Sequence, residues 1–172
     1  MTKDVYILDT SAIFSGKDLN FNDKEFITTD SVSNEIQPGG KDYQKFNFLK
    51  ELGLKLLSPS KDSIDKITKT SKETGDLERL SKTDIDLLAL ALDIKSSDKN
   101  PIIFTDDYSI QNIANFLNIN FKNISQNKIS KRYIWISKCI GCGKKYKEHI
   151  NKCPICGTET KKIINGKYNL KK

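Results

Sequence analysis

The stretch Val5-Tyr6-Ile7-Leu8-Asp9-Thr10-Ser11-Ala12 decides how this chain folds. Its first four residues form an unbroken apolar run, which predicts a short strand buried on both faces. Asp9 ends that run, and the two hydroxyl residues after it are typical of a turn into a helix. A carboxylate at the carboxyl end of a buried parallel strand lies where open α/β sheets bind their ligands. Asp9 could equally be only a helix cap, so its role depends on the partners that the remaining chain supplies.

Charge is distributed unevenly along the 172 residues, whose net charge is +7. Residues 1–125 carry 16 basic and 20 acidic side chains, whereas residues 126–172 carry 13 basic and 2 acidic ones. This asymmetry indicates that the tail binds a polyanion, above all nucleic acid. The alternative is that the lysines serve solubility alone, and we favour the first interpretation. There is no apolar run of membrane-spanning length and no signal peptide, so we expect a soluble cytoplasmic protein with no membrane partner.

Strands and helices are predicted to alternate up to residue 124. After the first strand, short apolar runs predict four more, at 26–28, 54–57, 101–104 and 119–124. These runs are continuously apolar, which indicates a parallel sheet covered by helices on both faces. The helix that carries residues 85–92 is apolar almost all round, so we expect it to pack deeply against the sheet.

Four acidic residues are predicted to fall at the ends of these elements: Asp9, Glu35, Asp84 and Asp106. Asp9 and Asp106 each follow a buried strand, so they emerge side by side if those strands are neighbours. Carboxylates that converge in one cleft repel each other and are costly to keep ionised without a cation. Hard oxygen ligands suit Mg²⁺ or Mn²⁺, which can activate water for phosphodiester hydrolysis. The alternative for each acid is a helix cap or a solvated side chain, and we favour the metal cluster.

Four segments together resemble the PIN-domain nuclease family in order and spacing: Leu8-Asp9-Thr10-Ser11-Ala12, Ser33-Asn34-Glu35, Thr83-Asp84-Ile85-Asp86-Leu87-Leu88-Ala89-Leu90-Ala91 and Thr105-Asp106-Asp107. The resemblance implies a Rossmann-like α/β/α sheet and metal-dependent cleavage of single-stranded RNA. It also implies that Asp9, Glu35, Asp84 and Asp106 form the acidic set.

The resemblance leaves two assignments open. Thr10 or Ser11 is implied to position the metal-bound water, and the family motif does not decide between Asp106 and Asp107. A phosphatase of the haloacid-dehalogenase type also has an Asp after its first strand. That chemistry needs a second acid at the position where this chain has Ser11, so we set it aside.

The four cysteines form two Cys-x-x-Cys motifs separated by ten residues: Cys139, Cys142, Cys153 and Cys156. Two such motifs complete a tetrahedral four-thiolate site for one Zn²⁺, and such a closed site is structural. Gly143 and Gly157 suit the positive φ that the turn after each second cysteine tends to need. His149 could replace a ligand or stack on a base, but four thiolates suffice, and we interpret it as a solvated surface residue.

Basic and aromatic residues surround the cysteine motifs, and we expect these to contact RNA: Lys131, Arg132, Tyr133, Lys138, Lys144 and Lys145. Basic groups contact phosphates, and exposed aromatic rings stack on unpaired bases. Trp135 is either such a stacking residue or the core of the small module, where it covers the metal. Asn165-Gly166 predicts a hairpin turn.

These features divide the chain into a PIN nuclease domain at 1–125, a junction at 126–137 and a zinc ribbon at 138–172. A PIN domain followed directly by a four-cysteine ribbon resembles the Nin-one-binding family of archaeal ribosome-maturation endonucleases. That resemblance implies cleavage at the 3′ end of precursor small-subunit ribosomal RNA on a late pre-ribosomal particle. One alternative is a toxin-type PIN ribonuclease acting on transfer or messenger RNA, although such toxins usually lack a ribbon. The other is a catalytically silent RNA-binding assembly factor whose acids are only caps.

Overall fold

Residues 3–15, 19–124 and 131–169 are described by a computed structural model, without the side chains of residues 131–133 and 166–169. Within the described residues up to 124, the order of elements is β1 (Asp4–Leu8), α1 (Thr10–Phe14), β2 (Glu25–Thr29), α2 (Asp30–Glu35), α3 (Lys41–Glu51), β3 (Lys55–Leu57), α4 (Lys61–Thr74), α5 (Lys82–Ser96), β4 (Asn100–Phe104), α6 (Tyr108–Phe116) and β5 (Asn120–Lys122). A short 3₁₀ turn, Leu77–Arg79, connects α4 to α5.

The five strands β1 to β5 form one parallel sheet in the order β3-β2-β1-β4-β5, which confirms the predicted fold class. β1 lies at the centre, where Ile7 pairs with Ile27 on one side and with Ile103 on the other. All three isoleucines are completely buried, as expected for strands that are covered on both faces. The strand order reverses between β1 and β4, and this is where open α/β sheets leave a crevice.

Helix α5 packs deeply against this sheet, as its all-round apolar character predicts. A continuous run from Leu87 to Ala91 is buried, and the helix contacts β1, β2 and β4. The first turn of α5 is held by a capping box between Ser81 and Asp84. The N-terminus of α5 is therefore fixed at the edge of the sheet where β1 and β4 end.

A second, antiparallel sheet follows, with the order β7-β6-β8. Its strands are β6 (Lys131–Cys139), β7 (Lys145–Tyr146) and β8 (Thr160–Asn169). The predicted hairpin turn at Asn165-Gly166 is wrong, because both residues lie inside β8. Ile134 pairs with Gly166 and Trp135 with Ile164, so Asn165 is the extra residue of a β-bulge. An Asn-Gly pair tolerates a bulge for the same conformational reason that it tolerates a turn.

Within residues 3–15, 19–124 and 131–169, no helix is both long enough and apolar enough to cross a lipid bilayer.

Candidate active site and cysteine cluster

An open cavity of about 530 Å³ lies where β1 and β4 end and α5 begins. The four predicted acids all line it, together with a fifth acid and neighbouring hydroxyl residues: Asp9, Thr10, Ser11, Glu35, Ser81, Asp84, Asp106 and Asp107, with Phe14 beside them. The strand register explains the convergence, because Leu8 pairs with Phe104 and the chain leaves both strands at the same level.

Asp9 is both a helix cap and a cavity residue, so the two interpretations of this residue are compatible. One carboxylate oxygen accepts a hydrogen bond from the Thr10 amide at 2.6 Å and thereby caps α1. The other accepts from the hydroxyls of Ser11, at 2.9 Å, and Thr105, at 2.8 Å. Burial raises the pKa of Asp9, although these three hydrogen bonds act in the opposite direction.

Thr105 is a residue of the site that the sequence reasoning missed. It is completely buried, and its hydroxyl donates to Asp9 while accepting from the Asp107 amide at 3.0 Å. It therefore joins the end of β1 to the segment that follows β4. A hydroxyl residue between a buried strand and an acidic pair is the signal that could have indicated this role.

Glu35 reaches the cavity from the end of α2. Its Oε2 accepts a hydrogen bond from the Thr10 hydroxyl at 2.9 Å. Thr10 and Ser11 therefore both orient carboxylates, Thr10 that of Glu35 and Ser11 that of Asp9.

Asp84 occupies the third position of α5, where it completes the predicted capping box. Its Oδ2 accepts from the Ser81 amide at 2.7 Å, and its own amide donates to the Ser81 hydroxyl at 3.1 Å. Burial raises the pKa of Asp84, the hydrogen bonds to Ser81 oppose that effect, and the negative charges of Asp107 and Asp9 add to it. Asp84 is thus electrostatically coupled to two other cavity acids.

Asp106 and Asp107, which the motif did not separate, have different surroundings. Asp106 accepts a hydrogen bond from the Ile124 amide at 2.8 Å, on the side of β5. Asp107 caps α6 by accepting from the Ser109 amide at 2.6 Å, and its charge raises the pKa of both Asp9 and Asp84. Asp107 is therefore the member of this pair with the stronger coupling to the other acids.

The chemistry of this donor set fits a divalent cation. Every ionisable residue that lines the cavity in the described part of the chain is acidic. Repulsion and burial both penalise the ionised carboxylates, and a cation would relieve both penalties. Among the described residues, the four cysteines form a second candidate metal site, with their ligand atoms all within 4.8 Å of one another.

The four cysteines converge as their spacing predicts. The sulfurs of Cys139 and Cys156 are 3.4 Å apart, and those of Cys142 and Cys153 are 3.6 Å apart. A tetrahedral zinc site with Zn–S bonds of about 2.3 Å has sulfurs separated by about 3.8 Å, so the cluster is close to the geometry that a metal requires. All four thiols are free of disulfides.

Local backbone structure holds the two cysteine turns in matching conformations. The Gly143 amide donates to the Cys139 carbonyl at 3.1 Å, and the Gly157 amide donates to the Cys153 carbonyl at 2.9 Å. Both glycines have positive φ, 73° and 70°, which confirms the prediction made for these positions. Hydrogen bonds with Thr158 lower the pKa of Cys156 to about 6. The pKa of Cys142 is lowered by a hydrogen bond with the Lys144 backbone, but the neighbouring sulfurs raise it to about 11 overall.

Trp135 and His149 have neighbours that neither sequence interpretation anticipated. The Arg79 guanidinium lies 4.3 Å from the centroid of the Trp135 ring, so this ring contacts the nuclease domain. His149 is exposed on the surface, as predicted, and its Nδ1 pairs there with Oε1 of Glu78. Both residues contact the N-terminal part of the chain because β6 packs against α4 and α6.

The residues expected to contact RNA are only partly described. Lys144 and Lys145 are exposed, and Lys138 is half-buried. The side chains of Lys131, Arg132 and Tyr133 lie outside the described part of the chain.

The parallel sheet and the acidic cavity define a nuclease of the PIN class. A family model described as "PIN domain of ribonuclease" matches residues 6–94. Curated relatives are similar over a longer range. "Ribonuclease VapC1" of Thermoplasma acidophilum is 39% identical over 92% of this chain and 77% of its own length. "Endoribonuclease Nob1" of Archaeoglobus fulgidus is 35% identical, covering 91% of this chain and 89% of that protein.

"Endoribonuclease Nob1" of Methanocaldococcus jannaschii is 38% identical over 98% of this chain and 82% of its own length. Each of these three alignments leaves out less than a tenth of the chain, so the likeness includes the cysteine module as well as the PIN domain. The chain belongs to the archaeal Nob1 type of PIN-domain endoribonucleases. The resemblance noted from the motifs is thereby confirmed.

Proposed function

We propose that this endoribonuclease requires a divalent metal and matures the 3′ end of precursor small-subunit ribosomal RNA on a pre-ribosomal particle. The observation that carries the catalytic part is the cavity in which five acids meet with no basic residue among the described lining. The rRNA part is supported by the likeness to archaeal proteins named "Endoribonuclease Nob1" over both modules of the chain.

The catalytic residues that we propose are Asp9, Glu35, Asp84 and Asp107, which would hold Mg²⁺ or Mn²⁺. A divalent ion there would supply an activated water and neutralise charge on the scissile phosphate. The chain's own contribution is to orient the carboxylates through the hydroxyls described above. Asp107 replaces Asp106, which the resemblance implied as the fourth acid, because the Asp107 charge acts on Asp9 and Asp84. Asp106, whose carboxylate accepts from the Ile124 amide, would then be a wall residue.

We propose that the cysteine cluster holds one structural Zn²⁺ and that residues 138–172 form an RNA-binding ribbon joined to the nuclease domain (1–125) through residues 126–137. Lys138, Lys144 and Lys145 would contact phosphates, and Lys131, Arg132 and Tyr133 would extend this surface along β6. The net positive charge of the tail supports an RNA ligand. The compartment that we propose is the cytoplasm, since free thiolates need a reducing environment.

Incubation of the full chain with a precursor RNA fragment that spans the mature 3′ end tests this function. With Mn²⁺ we expect one discrete cut, and without added divalent ions we expect none. Transfer RNA and an unrelated messenger RNA serve as comparison substrates, and cleavage of the precursor should exceed both by at least about 10-fold. Equal cleavage of transfer RNA would favour the toxin-type alternative, and absence of cleavage on both free and particle-bound precursor would favour a silent assembly factor.

Replacing Asp107 by Asn should lower the cleavage rate by about 10- to 100-fold, whereas Asp106→Asn should change it less than about 5-fold. Asparagine still caps a helix, so α6 is retained and only the charge is lost. The reason for the difference is that the Asp107 charge acts on Asp9 and Asp84. Single-turnover rates with Mn²⁺ measure it. A larger loss for Asp106→Asn would show that Asp106 is the fourth acid.

A further inference from the structure

The ribbon, taken here with the junction strand β6 that completes its sheet, packs against α4 and α6 of the nuclease domain. One contact lies at the end of α4. Gly75 ends this helix with φ 76°, and a Cβ at this position would lie 2.5 Å from the Trp135 carbonyl oxygen. Two independent constraints, the left-handed conformation and the close approach of β6, therefore both require glycine. The backbone of α4 thus meets the backbone of the ribbon directly.

Side chains from both modules surround this contact. Lys162 of β8 donates to the Gly75 carbonyl at 2.9 Å and lies 3.8 Å from the Glu78 carboxylate. Glu78 also pairs with His149, and the Arg79 guanidinium lies against the Trp135 ring. A guanidinium over an indole face is a favourable cation–π contact. The 3₁₀ turn Leu77–Arg79 is thus held from the ribbon side by three different residues.

A buried carboxylate lies at the start of the same turn. Asp76 is completely buried, and its Oδ2 accepts a hydrogen bond from Asn112 at 2.6 Å. Its Oδ1 has no hydrogen-bond partner among the described residues. Burial raises the pKa of Asp76, and its side-chain hydrogen bonds, followed by the charges of Arg79 and Lys162, act in the opposite direction. Lys162 belongs to the ribbon, so the ribbon supplies one of the positive charges that stabilise the ionised Asp76.

The turn leads directly into the candidate active site. The Arg79 amide donates to the Asp76 carbonyl at 2.8 Å, and buried Leu80 follows. The next residue is Ser81, whose amide and hydroxyl both bond to Asp84. Only Leu80 separates Arg79, which contacts the ribbon, from Ser81, which orients Asp84.

We propose that docking of the ribbon positions Asp84, with Arg79 and Trp135 as positioning residues that act through Ser81. The consequence for activity rests on the proposed nuclease function of the cavity. The ribbon then has a second role besides RNA binding, because it completes the nuclease domain. Cleavage should depend on docking even when the RNA is too short to reach the ribbon.

Amide hydrogen exchange in the full chain tests the structural half of this proposal without any substrate. In Arg79→Ala and in Trp135→Ala, the amides of Ser81 and Asp84 should exchange at least about 10-fold faster than in the wild type. The matched control is Lys50→Ala, which removes a cation 5.2 Å from the Phe46 ring, a contact that involves no ribbon residue. Its exchange at Ser81 and Asp84 should be unchanged.

Cleavage of a short single-stranded RNA with Mn²⁺ tests the functional half. Both alanine variants should lower kcat about 10-fold and change KM less than about 2-fold, with one zinc retained per chain. Arg79→Lys and Trp135→Phe keep a cation over an aromatic ring, so each should recover most of the lost kcat. A loss of affinity for RNA alone would instead raise KM.

Two outcomes overturn the proposal: unchanged exchange at Ser81 and Asp84 in Arg79→Ala, or unchanged kcat in that variant. Arg79 is exposed, so its replacement does not endanger folding even if Trp135→Ala unfolds the ribbon. If the wild type cleaves no RNA, the proposed nuclease function fails, whereas the exchange measurement still decides whether the ribbon positions Asp84.

Discussion

Asp9→Asn is expected to reduce RNA cleavage by at least about 10²-fold and to make the protein free of Mg²⁺ and Mn²⁺ more stable. Loss of cleavage follows because Asp9 is the most buried carboxylate of the cavity and receives three hydrogen bonds there. The Oδ1 of asparagine can still accept from the Thr10 amide and cap α1, and its Nδ2 can donate to the Ser11 and Thr105 hydroxyls, so the same neighbours hold the side chain.

The gain in stability follows from the direction in which the pKa of Asp9 is shifted. Because burial raises it above the ordinary value of 3.8, the folded protein binds the proton more tightly than the unfolded chain. The free energy of unfolding of the wild type therefore falls as the pH rises from the unfolded to the folded pKa of Asp9. The Asn variant has no ionisable group there, so its stability does not fall for this reason. A gain of about 1 kcal/mol at neutral pH would raise Tm by about 2–4 °C in a chain of this length.

Thermal unfolding at pH 7 and at pH 3, in buffer without Mg²⁺, Mn²⁺ or chelator, measures this effect. The variant should be more stable at pH 7, and the difference should vanish at pH 3. Added Mn²⁺ should stabilise the wild type and have little effect on the variant. Equal Mn²⁺ stabilisation of both proteins would contradict the assignment of Asp9 as a metal ligand.

Asp93→Asn is the matched control, since the same substitution there should have the opposite effect on stability. Burial alone would raise the pKa of Asp93, but the hydrogen bonds from Ser60 and Ser63 lower it below its ordinary value. Its charge therefore stabilises the fold above the unfolded pKa, and the variant should lose stability at neutral pH. Because Asp93 does not line the cavity, cleavage should remain near the wild-type rate.

Cys142→Ser is expected to release the zinc, unfold the ribbon and lower RNA affinity by at least about 10-fold at physiological salt. The described residues of the ribbon bury few apolar side chains, chiefly Ile136 together with Cys139 and Cys153. A module of this size cannot be held together by such a small core, so the metal supplies much of its folding free energy.

Metal analysis and RNA binding at several salt concentrations measure this prediction. The zinc content should fall from one per chain to near zero, and the slope of log affinity against log salt should fall by about 0.7 for each lost phosphate contact. Helical circular dichroism should be largely retained, because all helices of the described chain precede residue 117. Ser137→Ala, in strand β6, is a control that leaves all four sulfurs in place, and it should retain zinc. An unchanged salt slope in Cys142→Ser would show that the ribbon is not the RNA-binding module.

The local features of this protein could be read from its sequence because each depends on residues close together in the chain. The apolar run before Asp9 predicts β1, the Ser81 and Asp84 spacing predicts the capping box, and both are present. The cysteine spacing and the glycine after each pair likewise predict the cluster and its turns. The turn predicted at Asn165-Gly166 failed because an Asn-Gly pair favours bulges as well as turns, and pairing with β6 decided between them.

By itself, the sequence determined that acids follow two buried strands, that a parallel sheet brings them together, and that four thiols can bind one metal. Only the tertiary structure decided which of Asp106 and Asp107 is coupled to the other acids, and that Thr105 holds Asp9 from 96 positions away. It also decided that Trp135 packs against Arg79 of the nuclease domain. The physical reason is that side-chain partners across strands and modules depend on register and packing, which no local pattern encodes.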